Sequence, residues 1–386
     1  MVDQIAAALA AEGEEVYVYS SGQRNKTMRI AHAKGSYILL ERKRRHIFLH
    51  TNLTGIILAV TLSFQGLLSS KSLSYALLWL KYMLSIGHDM RIIRQLQPDV
   101  VSIQGLVDAT TPFILATLRR RKPLTLTLHI LAEEHTHAEK ECIPVLLEER
   151  IPITVVSSGM RRRIVKEFKV ESDDHIYVIP NAVNDEAAPA PDALAADLWS
   201  KPHRFVSAGT LNARKNQAQT LRAFALLPAG VRADSQLCLI GEDTLKGELQ
   251  RSAAELGIAD SVIFTGNIPH SEVMRWMQSA TCMVMASKRE GLSLTMLESY
   301  QCGIPIVCFD HLEAFEDLYN ERCMVPVREA SDQALADALL TAVNRSWDKA
   351  FIRQYAGRFN NSAMAKAYLK LFYRISLVSP PYGSSR

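Results

Sequence analysis

Short apolar runs alternate with stretches of helical periodicity along the chain, the pattern of parallel βαβ units. In the second half, Arg204–Ser207, Gln236–Ile240, Ser261–Phe264, Cys282–Ala286 and Ile304–Phe309 read as strands, with helical stretches between successive pairs. That predicts one doubly wound sheet. In the first half, Val16–Tyr19, Val100–Ile103, Leu124–Leu128, Ile153–Ser157 and Tyr177–Ile179 read the same way, with a long helical region from about Thr54 to Gln97. That predicts a second. Between them, Val178-Ile-Pro-Asn-Ala-Val-Asn184 leads into the Pro- and Ala-rich stretch Glu186–Asp197, an exposed connector. The expectation is an α/β chain with one domain over 1–182 and another over 183–358, closed by a helix from Phe359 to Leu377. No internal repeat stands out.

Composition supports this organisation. A chain of 386 residues with 48% hydrophobic content can build two ordinary cores. The net charge of +4 and pI near 8.6 favour anionic ligands or anionic membrane surfaces without requiring nucleic acid. Cys142, Cys238, Cys282, Cys302, Cys308 and Cys323 form no C-x-x-C pair and lie mostly in apolar segments, so they read as reduced core residues of a cytoplasmic protein. The opening residues through Glu15 carry Asp3, Glu12 and Glu14 in an amphipathic helical pattern, unlike a basic-then-apolar leader.

The most informative stretch is Ser287–Glu298, in which seven residues separate Glu290 from Glu298. If Ser293 caps a helix there, backbone N–H groups from about Leu294 and Thr295 onward lie at the positive end of the helix dipole, an anion site, and Gly291, Leu292 and Ser293 leading into it are further candidates for binding the ligand. Glu298 leans back toward that end and can accept hydroxyl hydrogen bonds from a ligand whose phosphates occupy it. A sugar nucleotide has that shape. Two glutamates on a surface segment could equally be solvated, but Gly291, the apolar positions Leu294 and Leu297, Gly303, Pro305 and the following strand fix a strand–loop–helix–strand unit.

A second element, Ser207–Gln217, runs from strand through a Gly-containing loop into a helix and carries Arg214 and Lys215. A departing diphosphate develops negative charge that such a pair can neutralise, the Arg bidentately. A solvated basic pair is the alternative. In the first half, His129 ends a strand and is followed by Glu133, Glu134, His135, His137 and Glu139. The H-E-x-x-H spacing is absent and an H-x-H pair on a loop is a poor zinc cage.

The Glu290–Glu298 stretch resembles the nucleotide-sugar motif of the family 4 retaining glycosyltransferases, and the likeness is strong from about Ile151 to Phe315. The resemblance implies GT-B architecture, two Rossmann-like domains facing a cleft, with the final helix crossing back onto the first domain. It implies that Glu290 contacts the donor hexose and Glu298 the ribose hydroxyls. Lys215, following Gly209, matches the phosphate-binding lysine. Many relatives carry Arg where this chain has Thr210, which leaves two readings: Arg214 replaces that cation, or the diphosphate is bound more weakly than in those relatives. Val262–Pro269 resembles the base-binding strand end, with Ile268 at the position whose amide meets the nucleobase, and Gly241-Glu242-Asp243 resembles a loop lining the nucleotide pocket. His129 matches a histidine that orients the reacting sugar; a structural histidine is the other reading of the same residue. The Ile-Pro-Asn segment resembles the interdomain junction, with Ala182 where Gly is usual. Relatives open with a strand and a Gly-rich loop, whereas Met1–Val18 resembles the helix that follows, so the first domain lacks its opening strand in this expectation.

No Asp-x-Asp sequence occurs, which leads to the expectation of a metal-independent mechanism; retention is implied by the resemblance alone. The expected activity is transfer of a hexose or N-acetylhexosamine from a UDP- or GDP-linked donor to a glycan or lipid-linked acceptor in cell-envelope polysaccharide synthesis. The competing readings are an inactive nucleotide-sugar-binding protein of the same fold and a non-catalytic membrane-associated assembly partner. Arg42–Arg45 before the uncharged stretch from His46 to Ser70 and the segment Tyr75 to Ile86 read as a buried helix or, alternatively, as a peripheral anchor on the inner face of the membrane, to which Arg119–Lys122 and Arg161–Arg163 add charge.

Overall fold

The computed structural model describes residues 2–20, 28–32, 35–41, 86–106, 114, 117–118, 122–131, 136–183 and 198–377. The chain divides into two compact units: one holds 1–156, 161–179 and 362–386, the other 157–160 and 180–361.

In the first unit, helix α1 (Val2–Ala11) buries Ala6 and Ala7 against Val16. Strands β1 (Tyr17–Ser20), β2 (Met28–His32) and β3 (Gly35–Glu41) form a three-stranded sheet of order β1-β3-β2, parallel between β1 and β3 and antiparallel between β2 and β3. Among the described residues β1 pairs with β3, and the β2–β3 pair is an addition to the strands expected in the first half: Arg29 and His32 break the apolar run of β2, whereas Tyr37–Leu40 in β3 is an apolar run too short to read alone.

After α2 (Ile86–Leu96) come β4 (Val101–Gln104), β5 (Leu124–Leu128), helix α3 (His137–Glu148), β6 (Ile153–Val155), α4 (Ser158–Glu167) and β7 (Ile176–Val178). The four strands pair in parallel in the order β4-β5-β6-β7. Both faces of β5 are buried, as a covered parallel strand requires. Its alternating threonines therefore need partners. Thr125 Oγ1 donates to the Pro152 carbonyl at 2.9 Å, and Thr127 Oγ1 lies 2.5 Å from Thr154 Oγ1 and 3.3 Å from the Tyr368 hydroxyl. Tyr368 belongs to the C-terminal helix, whose residues from 362 onward cluster with this unit.

In the second unit, β8 (His203–Ala208), α5 (Gln217–Ala225), α6 (Ala229–Ala233), β9 (Ser235–Ile240), α7 (Glu248–Glu255), β10 (Val262–Gly266), α8 (His270–Ser279), β11 (Cys282–Met285), α9 (Leu294–Cys302), β12 (Ile306–Phe309), α10 (Phe315–Leu318), β13 (Met324–Val327), α11 (Asp332–Asn344) and α12 (Lys349–Ala356) precede the C-terminal helix α13 (Asn361–Leu377). The six strands pair in parallel in the order β10-β9-β8-β11-β12-β13. The chain winds outward from β8 to β10, then returns to the other side of β8 with β11, so a topological switch point lies between β8 and β11. In open parallel sheets the crevice beyond the strand ends at such a point is where ligands bind. Strand β13 was not anticipated because Pro326 interrupts its apolar run; at the sheet edge, where one side of the ladder is unpaired, proline is tolerated. Helix α9 ends at Gly303, whose φ of 76° and close approach to the Lys349 carbonyl, 2.9 Å from where a Cβ would sit, require glycine.

The run Arg42–Arg45, the stretch His46–Ser70, the residues from Tyr75 to 85 and Arg119–Arg121 lie outside the described residues. Of Arg161–Arg163 on α4, Arg161 pairs with Asp173 and Arg163 with Glu167. Among the described residues, no helix is long and apolar enough to cross a membrane.

All the cysteines but Cys142 are buried, and all six are free thiols. Burial pushes the Cys302 and Cys308 thiols up to about 12 and Cys323 to about 11. Since the thiolate is the nucleophile, iodoacetamide at pH 8 is expected to modify at most Cys142 in the native protein and all six after denaturation. Mass spectrometry before and after guanidinium reads this directly, and rapid native alkylation of Cys302 or Cys308 would contradict it.

Candidate functional site

The site is built on two strand ends that touch backbone to backbone. Gly209 follows β8 with φ 135°, and Gly241 follows β9 with φ 143°. A Cβ on Gly241 would lie 2.2 Å from the Gly209 carbonyl oxygen, so only glycine allows this approach. The Gly209 amide donates to Ile240 and the Gly241 amide to Gly266. Beyond them the two loops remain joined: the Leu211 amide donates to the Glu242 carbonyl at 2.8 Å and the Thr244 amide to the Leu211 carbonyl at 3.2 Å. Asp243 accepts from the Gly247 and Leu245 amides, which hold its carboxyl below the usual carboxylate range.

The loop from Thr210 to Asn216 is tied down by its own side chains. Asn212 Oδ1 accepts from the Lys215 amide at 2.9 Å, and Gln217 Nε2 donates to the Thr210 carbonyl at 3.2 Å. Asn216 takes the left-handed conformation, φ 55°, and starts α5. The Lys215 side chain consequently lies across Gly209, its Cε 3.3 Å from where a Cβ would be. Gly209 thus opens the path along which the ammonium reaches the switch point.

Across the switch point, the segment after β11 meets this loop. The Lys288 amide donates to the Arg214 carbonyl at 2.9 Å, and Arg214 Nη1 donates to the Arg289 carbonyl at 3.1 Å. Glu290 Oε1 then accepts from both cations: Arg214 Nη1 and Lys215 Nζ each lie 2.7 Å away. The Glu290 and Lys215 side chains are 8% and 11% exposed, whereas Arg214 is 43% exposed. The Arg214–Lys215 pair is therefore part of a partly buried three-charge cluster, not a solvated dipeptide.

The acid-bearing loop is held at both ends. The Glu290 amide donates to Glu313 Oε2 at 3.2 Å, and the Leu292 carbonyl accepts from Asn181 Nδ2 at 2.8 Å, with Gly291 between. Glu313 is itself fixed, because its carbonyl accepts from the Gly159 amide and a Cβ on Gly159 would lie 2.2 Å from that oxygen. Ser293 is the N-cap residue of α9 by backbone conformation, as expected, but its hydroxyl bonds Thr295 Oγ1 at 2.8 Å instead of a backbone amide. Among the described residues no protein acceptor takes the Leu294 and Thr295 amides, so this helix end keeps its capacity for an anion.

Glu298, on the second turn of α9, is 15% exposed and bonds His270 Nε2 at 2.9 Å. His270 opens α8 directly after Ile268-Pro269, so the second acid is linked to the segment expected to meet a nucleobase. His129 lies in the other unit, where its Nε2 is 3.0 Å from Gln104 Oε1 at the neighbouring strand end. Of the His–Glu run behind it, residues 132–135 lie outside the described residues. Glu139 forms a capping box with Thr136, its carboxylate accepting from the Thr136 amide at 2.7 Å.

The fold thus gathers Gly209, Thr210, Arg214, Lys215, Gly241, Glu290, Gly291, Leu292, Ser293, Leu294 and Thr295 around one switch point, with Glu298 and Ile268 on the adjoining elements. Sequence reasoning missed Asn212, His270 and Glu313, and read Asn181 only as part of a junction. The spacing of Asn212 from Lys215 is that of a capping turn and could have been found; His270 and Glu313 carry no local signal.

The profile of the Glycosyltransferase Family 4 matches residues 1–187, and that of the Glycosyl transferases group 1 matches residues 195–358. Among characterised proteins, the chain is 30% identical over 167 residues to an N-acetylgalactosamine-N,N'-diacetylbacillosaminyl-diphospho-undecaprenol 4-alpha-N-acetylgalactosaminyltransferase of Campylobacter jejuni, covering 43% of each chain. It is 32% identical over 204 residues to a GDP-mannose-dependent alpha-(1-6)-phosphatidylinositol monomannoside mannosyltransferase of Mycolicibacterium smegmatis, covering 50% of this chain and 51% of the other. These matches span about half the length of either relative. A glycosyltransferase from Rickettsia africae shares the fold at a TM-score of 0.73 and 15% identity, over 97% of this chain and 93% of that one. With both family profiles matched in succession, and with the expected motif residues gathered at one switch point of a doubly wound sheet, the chain belongs to the group 1 glycosyltransferases of family 4, of GT-B fold.

Proposed function

We propose that this protein transfers a hexose or N-acetylhexosamine from a UDP- or GDP-linked donor to a glycan or lipid-linked acceptor, with retention and without a metal ion. The observation that carries the reading is the convergence of Arg214 and Lys215 on one face of the Glu290 loop, beside the open N-terminus of α9. As the glycosidic bond to the diphosphate breaks, negative charge builds on the leaving oxygens; two cations and a helix end fixed beforehand stabilise it without reorganising. Glu290 then holds donor hexose hydroxyls and Glu298 the ribose diol, while Ile268 and the strand ends at Gly209 and Gly241 position the base and diphosphate. His129 orients the reacting sugar. The names of two relatives support the reading: one is a GDP-mannose-dependent phosphatidylinositol monomannoside mannosyltransferase, the other a diphospho-undecaprenol N-acetylgalactosaminyltransferase.

The test is release of UDP or GDP from a panel of nucleotide sugars incubated with membrane lipid and glycan acceptors. Acceptor-dependent release that survives excess EDTA is the expected result, because Arg214, Lys215 and the helix end supply the charge a divalent metal would otherwise bring. Loss of release in EDTA, restored by Mg²⁺ or Mn²⁺, would remove the metal-independent mechanism. Saturable nucleotide binding with no turnover of any donor would identify a binding protein of this fold instead.

A further inference from the structure

The groups assigned to the diphosphate are already engaged with a carboxylate. One oxygen of Glu290 accepts from Arg214 Nη1 and Lys215 Nζ at 2.7 Å each. Glu290 and Lys215 are nearly buried, so water screens neither their attraction nor any repulsion between Glu290 and a second anion. A diphosphate oxygen reaching the same two donor atoms must displace the carboxylate or sit beside it at like charge. A ligand that carries a sugar gives Glu290 somewhere to go, because its hydroxyls can donate to the displaced carboxylate. A nucleoside diphosphate without its sugar offers no such exchange.

We propose that Glu290 is an internal competitor of the diphosphate: it yields Arg214 and Lys215 to an intact donor in exchange for hexose hydroxyls, and reclaims them once the sugar has gone, driving release of the nucleoside diphosphate. This rests on the donor site proposed above and adds to it a role in product release. Three features support it. The carboxylate contacts both cations through one oxygen, which makes the exchange a single event. Its loop is anchored through backbone groups, the Glu290 amide to Glu313 and the Leu292 carbonyl to Asn181, so the side chain can turn without moving the loop. Arg214 remains partly exposed, which gives an incoming anion access to the cluster.

Calorimetric titration of UDP and GDP into wild-type protein and into Glu290→Gln tests the proposal. The variant is expected to bind its preferred nucleoside diphosphate at least tenfold more tightly, while transfer activity falls and product inhibition sharpens. Equal or weaker binding by a variant with an unchanged far-ultraviolet spectrum and cooperative melting would overturn the competitor role. Glu290→Asp, which keeps the charge but retracts it by a methylene, covers the case in which Gln does not fold: it is expected to tighten binding about threefold, and unchanged or weaker binding overturns the proposal equally. Binding that is present but insensitive to residue 290 sinks only this inference. If neither nucleotide binds wild type or variant, the donor-site reading itself fails, and the competitor role with it.

Discussion

Replacing Lys215 with methionine is expected to lower kcat/KM for sugar transfer by about a thousandfold, the scale of losing a preorganised group aimed at charge that develops in the transition state. The expectation follows from position. Lys215 is 11% exposed, and its stem runs across Gly209 toward the point where β8 and β11 diverge. A cation excluded from water there interacts with a leaving diphosphate far more strongly than a solvated lysine would. Methionine keeps most of the apolar stem, so packing over Gly209 survives. Glu290 keeps Arg214 as a counterion, which limits the stability loss to about 2 kcal/mol, below the full cost of stranding a buried charge. Arg214→Ala is expected to cost less, about tenfold to thirtyfold, because the guanidinium is 43% exposed and solvent already screens it. Steady-state kinetics on the two variants, with melting curves recorded alongside, decide the matter. Equal losses, or a larger loss for Arg214→Ala, would show that burial does not set the hierarchy.

The second large effect is on folding. Gly241→Ala places a methyl 2.2 Å from the Gly209 carbonyl oxygen and 2.6 Å from its carbon, at a φ of 143° that an alanine resists. Neither atom can yield, because Gly209 is held by the Ile240 carbonyl and the next residues by the Leu211–Glu242 and Leu211–Thr244 hydrogen bonds. The expected loss is about 4 kcal/mol, at the level reserved for steric intrusion into fixed backbone. In a unit of this size that lowers Tm by roughly 10 °C. Gly257→Ala provides the control: its φ of 66° carries the conformational strain, but nothing lies within 4 Å of an added Cβ. That variant is expected to lose about 1 kcal/mol. Chemical denaturation of both separates collision from conformational strain; similar losses would mean that the contact between the strand ends relaxes freely.

These two effects share an origin in the parallel sheet. Because β8 sits between β9 and β11, the loop after β8 borders two others at the carboxyl edge. Its glycine allows one neighbour to close in, and its lysine reaches the other. A substitution at Gly241 is therefore expected to impair donor binding as well as stability, since moving Gly209 moves the surface on which Lys215 lies.

The sequence by itself determined whatever is local in the chain. Apolar runs and the helical patterns between them marked five of the six strands of the second unit to within two residues at either end, because buried parallel strands read as apolar runs bounded by turn residues. The stretch from Ser287 to Gly303 marked its own strand–loop–helix–glycine form, and Arg214-Lys215 marked a basic helix entry, because capping, dipole and side-chain reach act within a turn or two. Where an apolar run was broken, as by Pro326 in β13 or by Arg29 and His32 in β2, pairing with a neighbouring strand overrode the local pattern. Only the tertiary structure decided which groups meet. It put Glu290 on Arg214 and Lys215, some 75 residues upstream, because the chain winds outward through β9 and β10 before β11 returns beside β8. It likewise set Glu298 on His270, Asn181 on Leu292 and Glu313 on the Glu290 amide, contacts whose partners lie on separate elements and leave no trace in spacing. Strand order in a twisted parallel sheet is fixed by packing of the whole unit, so residues that converge at its switch point are invisible to any window of sequence.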